Sequence, residues 1–145
     1  MRLVVASLAL VVVLGACGGA AAPSPTPTPS PSPTAVVKIG DTALGKILVD
    51  TKGMTLYTWA KDTDENSQCN DACATAWPPL ISTVTTIAGT GVRGSLGTSK
   101  RKDGALQVTF NKHPLYNFSR DAAAGDTKGQ GSTGFGALWT VVLDP

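Results

Sequence analysis

The stretch "TLYTWAKD" (Thr55–Asp62) returns later in the chain as "PLYNFSRD" (Pro114–Asp121). Both copies run Leu-Tyr-x-aromatic-x-basic-Asp. Leu56 aligns with Leu115, Tyr57 with Tyr116, Trp59 with Phe118, Lys61 with Arg120 and Asp62 with Asp121. Downstream, Ala76-Trp77 aligns with Leu138-Trp139, with a few residues gained between. Two diverged copies in one small domain predict a pseudo-two-fold arrangement around one shared core. Residues two apart in a strand face the same side, so Tyr57 pairs with Trp59 on one face and Tyr116 with Phe118 on another. Asp62 and Asp121 fall past the strand ends, where a carboxylate can accept backbone N–H groups and close a turn. Three readings of the motif stand at this level. It is structural; or its aromatics form a platform for a sugar, a peptidoglycan fragment or a flat cofactor; or Asp62 and Asp121 are a catalytic pair. The last needs carboxylates about 5–10 Å apart with split pKa values.

The surrounding sequence is rich in strand formers and turn residues. Ile47–Asp50 and Met54–Trp59 read as a hairpin around Thr51-Lys52-Gly53, with glycine where a positive φ is needed. Ser82–Ile87 is a β-branched run closed by glycines. Leu96–Ser99 and Ala105–Phe110 flank "KRKDG", with Asp103-Gly104 as turn chemistry. Asn111–Pro114 turns the chain into Leu115–Phe118, and Leu138–Leu143 is a terminal strand. The one helix expected is Ala72–Ala76, capped by Asn70 or Asp71 and stopped before Pro78-Pro79. The predicted fold class is mainly β: a single antiparallel domain with an internal two-fold repeat, one short helix and one disulfide.

The ends of the chain differ from this domain. "MRLVVASLALVVVLGAC" has a basic start at Arg2 and an apolar run, Leu3–Leu14, too short for a stable membrane span. It has the anatomy of a secretory signal. Its end, "LGAC", resembles the bacterial lipobox, which implies cleavage after Ala16 and a diacylglycerol on the Cys17 sulfur. Residues 17–34 are then the lipidated cysteine and a Pro/Ser/Thr-rich tether with no side chain fit for a core. Alternating prolines hold it extended, able to carry the domain up to roughly 50 Å from the bilayer. Residues 35–145 form the domain, with repeat 1 at about 39–81 and repeat 2 at about 96–143.

The 145-residue chain has 12 lysines and arginines against 10 acids, and only Arg2 precedes the domain. A nearly neutral domain gives no electrostatic case for nucleic acid. "SKRKDG" (Ser99–Gly104) is basic but reads as a solvated turn. With Cys17 taken by lipid, Cys69 and Cys73 are an even pair in an exported chain, so a disulfide is expected. Their spacing is one too long for Cys-x-x-Cys redox chemistry, and Ala74 stands where haem attachment needs histidine.

"DTDEN" (Asp62–Asn66) resembles the start of a calcium loop, but Ser67 replaces its glycine and Cys73 its closing glutamate. "GTGVRG" (Gly89–Gly94) and "GQGSTG" (Gly129–Gly134) fit a dinucleotide pattern without the strand-to-helix setting it requires. His113 is the single histidine, placed before Pro114 in an exposed turn, with no partner for a triad or metal site. Trp77 is expected to plug the core beside the disulfide.

Together, the lipobox, the two Tyr-x-aromatic-x-x-Asp motifs, Cys-x-x-x-Cys followed by "AWPPL", and "GDTKGQG" before a terminal Trp strand resemble the bacterial secreted-repeat lipoproteins. The resemblance spans about Ile39–Asp144. It implies location and fold unit, and no reaction. The expected role is a lipid-anchored extracytoplasmic lipoprotein, held to the membrane through Cys17, acting as a binding or structural module of the cell envelope. Its partner is an envelope ligand or protein; no cofactor, metal or nucleic acid is expected, and no catalytic constellation. The rival readings are a redox- or haem-associated accessory protein and a cell-wall hydrolase.

Overall fold

A computed structural model describes residues 34–144. The signal over residues 1–16, the lipidation at Cys17 and the tether up to residue 33 lie outside the described residues. Thr34, assigned to the tether by composition, is the first residue of strand β1 (Thr34–Thr42). β1 is not among the strands expected from the sequence. It makes a hairpin with β2 (Gly45–Asp50), registering Val37 against Asp50 and Thr42 against Gly45. Gly45, at φ 101°, is the turn residue that this hairpin needs.

The short strand β3 (Tyr57–Trp59) carries the first motif. Helix α1 (Ala72–Ala76) follows, with the bounds expected. Its cap differs from expectation: Asp71 has φ 51° and makes no side-chain cap bond. Main-chain bonds hold the first turn instead, from Cys73 N to Asn70 O (3.0 Å) and from Thr75 N to Asp71 O (3.1 Å).

The run Ser82–Ile87 is not one strand. It splits into β4 (Ile81–Ser82) and β5 (Ile87–Thr90). The Ser82 hydroxyl causes the break: it donates to Val84 O (2.8 Å) and accepts from Val84 N (3.1 Å), folding the chain on itself. β5 then joins β1 in parallel, the one parallel pair among the described residues in a mainly antiparallel set. Strands β6 (Leu96–Lys100) and β7 (Leu106–Phe110) form the second hairpin. β7 also pairs with β4 and with β8 (His113–Pro114). Asn111 and Lys112, at φ 47° and 67°, make the two-residue left-handed turn between β7 and β8. The last strand, β9 (Trp139–Val141), pairs with β3 across the chain, Trp59 against Trp139.

That last pairing shows how the halves combine. The end of each repeat is inserted into the other repeat's sheet. In one half, Leu48 N donates to Val142 O (2.8 Å), Val142 N to Leu56 O (3.0 Å) and Leu56 N to Leu48 O (3.0 Å). In the other, Val108 N donates to Leu80 O (2.8 Å), Leu80 N to Leu115 O (2.9 Å) and Leu115 N to Val108 O (2.9 Å). Each is a closed ring of three main-chain bonds. Each ring takes two residues from one repeat and one from the other. The pseudo-dyad passes between Tyr57 and Tyr116, whose N–H groups donate to each other's carbonyls at 2.8 and 3.0 Å.

The side chains sort into two buried clusters. Val37, Leu48, Leu56, Val108, Phe110, Leu115 and Val142 form a mainly aliphatic one; with Leu80 packed against it, it holds both three-bond rings. The other is aromatic and holds the disulfide: Tyr57, Trp59, Trp77, Tyr116 and Trp139 with Cys69 and Cys73. Both clusters draw on both repeats, so neither repeat owns a core.

Truncation after Ala137 tests this exchange. It removes Trp139 and Val142, which complete the sheet of the first repeat. The truncated chain is expected to show no cooperative thermal transition by circular dichroism. A cooperative melt would mean that the fold does not need the exchanged C-terminal strand.

Candidate functional site

The repeated motif converges on the dyad. Tyr57 Oη donates to Asp121 Oδ2 at 2.7 Å, and Tyr116 Oη donates to Asp62 Oδ2 at 2.5 Å. Each tyrosine therefore bonds the aspartate of the other copy. The remaining carboxylate oxygens are matched as well: Asp62 Oδ1 accepts from Gln68 N (2.7 Å) and Asp121 Oδ1 from Lys128 N (2.9 Å). Each aspartate's own N–H closes a turn onto the motif aromatic, Asp62 N to Trp59 O (3.0 Å) and Asp121 N to Phe118 O (3.1 Å). The turn role was legible in the sequence. The crossed phenol–carboxylate bonds were not, because nothing in one copy names its partner.

The aromatics form a column across the dyad. Trp77 and Trp139 stack at 3.8 Å with parallel planes. Trp59 extends the column on Trp139 (5.0 Å) and Phe118 extends it on Trp77 (4.2 Å). Tyr57 meets Trp77 edge-on at 5.4 Å, and Tyr116 meets Trp139 edge-on at 5.2 Å. The T-shaped contacts suit the ring quadrupoles. Tyr57 and Tyr116 are fully buried and Trp59 is 3 % exposed, so these three present no platform to solvent. Phe118 is only partly buried.

Burial dominates the electrostatics. It raises both carboxyls above their ordinary 3.8, against the lowering effect of the phenol and amide bonds. For Asp62, Arg101 adds a further lowering influence. Burial, then the bond to the facing carboxylate, pushes both phenols far above their ordinary 10.0.

The loops after the two aspartates do the same task with different chemistry. In repeat 1, Ser67 Oγ lies 2.6 Å from Tyr116 Oη, and the Cys69–Cys73 disulfide follows, with Cα atoms 5.2 Å apart. In repeat 2, Gly129 N donates to Tyr57 Oη at 3.3 Å. Gly129 is required there by space: a Cβ would sit 2.7 Å from Trp77 Cη2 and 3.0 Å from Tyr57 Cε1.

Arg101 corrects the sequence reading. "SKRKDG" is a turn, but Arg101 is 6 % exposed rather than solvated. Its guanidinium donates to Cys69 O (2.7 Å), Ser67 Oγ (2.9 Å) and Gln107 Oε1 (2.6 Å). It thus braces the disulfide loop against β7. Its neighbours Lys100 and Lys102 are exposed, and composition does not separate one cation from the others. His113 is exposed, with Nδ1 3.2 Å from Asp62 O. In "DTDEN", Asp62 turns inward to Tyr116, while Asp64 Oδ1 accepts from Asn66 N (2.7 Å). Among the described residues, no three His, Cys, Asp or Glu side chains cluster for a metal.

Two outcomes follow from this geometry. The folded chain binds both phenol protons more tightly than the unfolded chain. That contribution to stability is fully present below pH 10.0 and is lost as pH rises through the raised phenol values. The chain has only two tyrosines. Tyrosinate absorbance is therefore expected to appear only together with alkaline unfolding, as followed by circular dichroism; tyrosinate in the folded state would contradict the geometry. Gly129→Ala is expected to cost about 1–3 kcal/mol by overpacking, read as a lower denaturant midpoint.

The family model for the "secreted repeat of unknown function" matches residues 38–81 and 97–143. No curated protein and no solved structure matches the chain. The chain belongs to this secreted-repeat family, and its two copies are the intertwined halves described above.

Proposed function

We propose that this protein is a non-catalytic module of the cell envelope, tethered to the membrane by lipid on Cys17 and binding an envelope component with its folded domain. The observation that carries the reading is the use of the motif carboxylates. Asp62 and Asp121 are the acid pair that a hydrolase would need. Each is 6 % exposed or less, with one oxygen on a buried phenol and the other on a main-chain amide. Groups held this way are scaffold rather than proton shuttles. The disulfide is buried too, Cys69 fully and Cys73 to 6 % exposure, which shields it from the attacking thiolate that redox exchange requires.

The lipobox-like "LGAC" supports the anchor, and the proline-rich composition of the following residues suits a spacer. A diacylglyceryl anchor, with its two acyl chains, and a spacer suit a domain that acts by position and contact.

The full chain in a lipoprotein-processing bacterial host tests this reading. The wild type is expected in the membrane fraction, extracted by detergent, with Cys17→Ala released to the soluble extracytoplasmic fraction. Equal membrane retention of Cys17→Ala would sink the anchor. Turnover of cell-wall polymer by the wild type, lost in Asp62→Asn without loss of thermal stability, would sink the non-catalytic reading.

A further inference from the structure

The two ends of the aromatic column differ. At the Trp59 end the chain supplies its own cation: Lys61 Nζ lies 5.3 Å from the centroid of the Trp59 ring. At the Phe118 end lies an open groove of about 560 Å³, within the usual range for small-ligand sites. Trp77, Phe118 and Phe135 give it an aromatic floor and wall, Thr75 and Ser132 a hydroxyl rim, and Arg120 a charge. Arg120 is the counterpart of Lys61. It is exposed, and makes no hydrogen bond or ion pair among the described residues.

Phe135 adds an independent observation. It sits at a kink within Gly134–Gly136, with φ 64° and ψ 20°. Its flanking glycines take such a conformation without penalty; phenylalanine does not. The residue is 46 % exposed, so burial does not offset the strain. A bulky aromatic held in a left-handed backbone and left half in water is the kind of outlier that marks a binding site.

We infer that this groove is a binding site for a carboxylated sugar ring, the apolar ring face lying on Phe118 and Phe135 and the carboxylate on Arg120. The chemistry of each part selects this class. Aromatic faces take the C–H face of a pyranose, and a guanidinium takes a carboxylate in two parallel bonds. The hydroxyl rim matches a polyhydroxylated edge better than a purely aromatic anion. The site rests on the binding-module reading above and names its ligand class.

The test is an amide-NMR titration of the folded domain with three probes: N-acetylmuramic acid, N-acetylglucosamine (a related ring without the carboxylate) and benzoate (the carboxylate on an aromatic ring). The sugar acid is expected to shift the amides of Ser119, Arg120 and Gly134–Gly136 at about 10 mM or below, and the neutral sugar to bind at least tenfold more weakly. Arg120→Gln is expected to weaken the sugar acid about tenfold or more with an unchanged melting temperature. Phe135→Gly separates binding from folding. It is expected to weaken binding while keeping or raising the melting temperature, because glycine relieves the left-handed backbone. Overturning results are shifts confined to another surface, no shifts with any probe, tighter benzoate than sugar acid, or wild-type affinity in Arg120→Gln. Any of these removes the site and leaves membrane anchoring, measured by fractionation, standing or falling by itself.

Discussion

The fold turns on the crossed pair of phenol–carboxylate bonds at the dyad, Tyr57 to Asp121 and Tyr116 to Asp62. Each bond satisfies two buried polar groups that would otherwise be costly to bury. Because each runs between copies, neither copy can satisfy its own motif. The two three-bond rings repeat this logic in the main chain, each borrowing one residue from the other repeat. The column of Trp59, Trp139, Trp77 and Phe118 repeats it in the aromatic cluster, alternating residues from the two copies at its centre. Backbone, polar and aromatic contacts therefore all impose the same mutual dependence.

The symmetry is maintained by unlike parts, and this is where the two copies are free to diverge. After Asp62 the chain uses Ser67, a disulfide and the buried guanidinium of Arg101. After Asp121 it uses a glycine-rich loop in which Gly129 fits under Trp77 and Tyr57. The first solution is rigid and covalent; the second leaves the following segment to carry the strained Phe135 beside an open groove. The two loops meet the same demand at the dyad with different residues, which leaves their outer faces free to differ.

Much of this was legible in the chain. The repeat, the helix Ala72–Ala76, the disulfide and the turn role of the aspartates follow from local spacing and residue chemistry. What could not be read is long-range. Strand β1 escaped because its start continues a proline-rich segment. The run Ser82–Ile87 was broken by one hydroxyl bonding its own backbone, a competition that β-propensity does not register. Arg101 looked like its exposed neighbours Lys100 and Lys102, yet only it reaches Cys69 O, which lies far away in sequence. The exchange of repeat ends is invisible to any pattern within one copy. Of the three readings of the motif, the aromatic platform is present only in part: Tyr57 and Tyr116 are core, Trp59 is 3 % exposed at the edge of a smaller pocket, and Phe118 borders the larger groove.

The central claim is that the motif works across the repeats. A double-mutant cycle measures it most directly, with stabilities from chemical denaturation. Tyr57→Phe combined with Asp121→Asn is predicted to show a coupling of about 1.5–3 kcal/mol, the range for a hydrogen bond to a charged group. Tyr57→Phe combined with Asp62→Asn, the pair within one copy, is predicted to be additive within about 0.5 kcal/mol. Coupling within the copy and additivity across the copies would contradict the account.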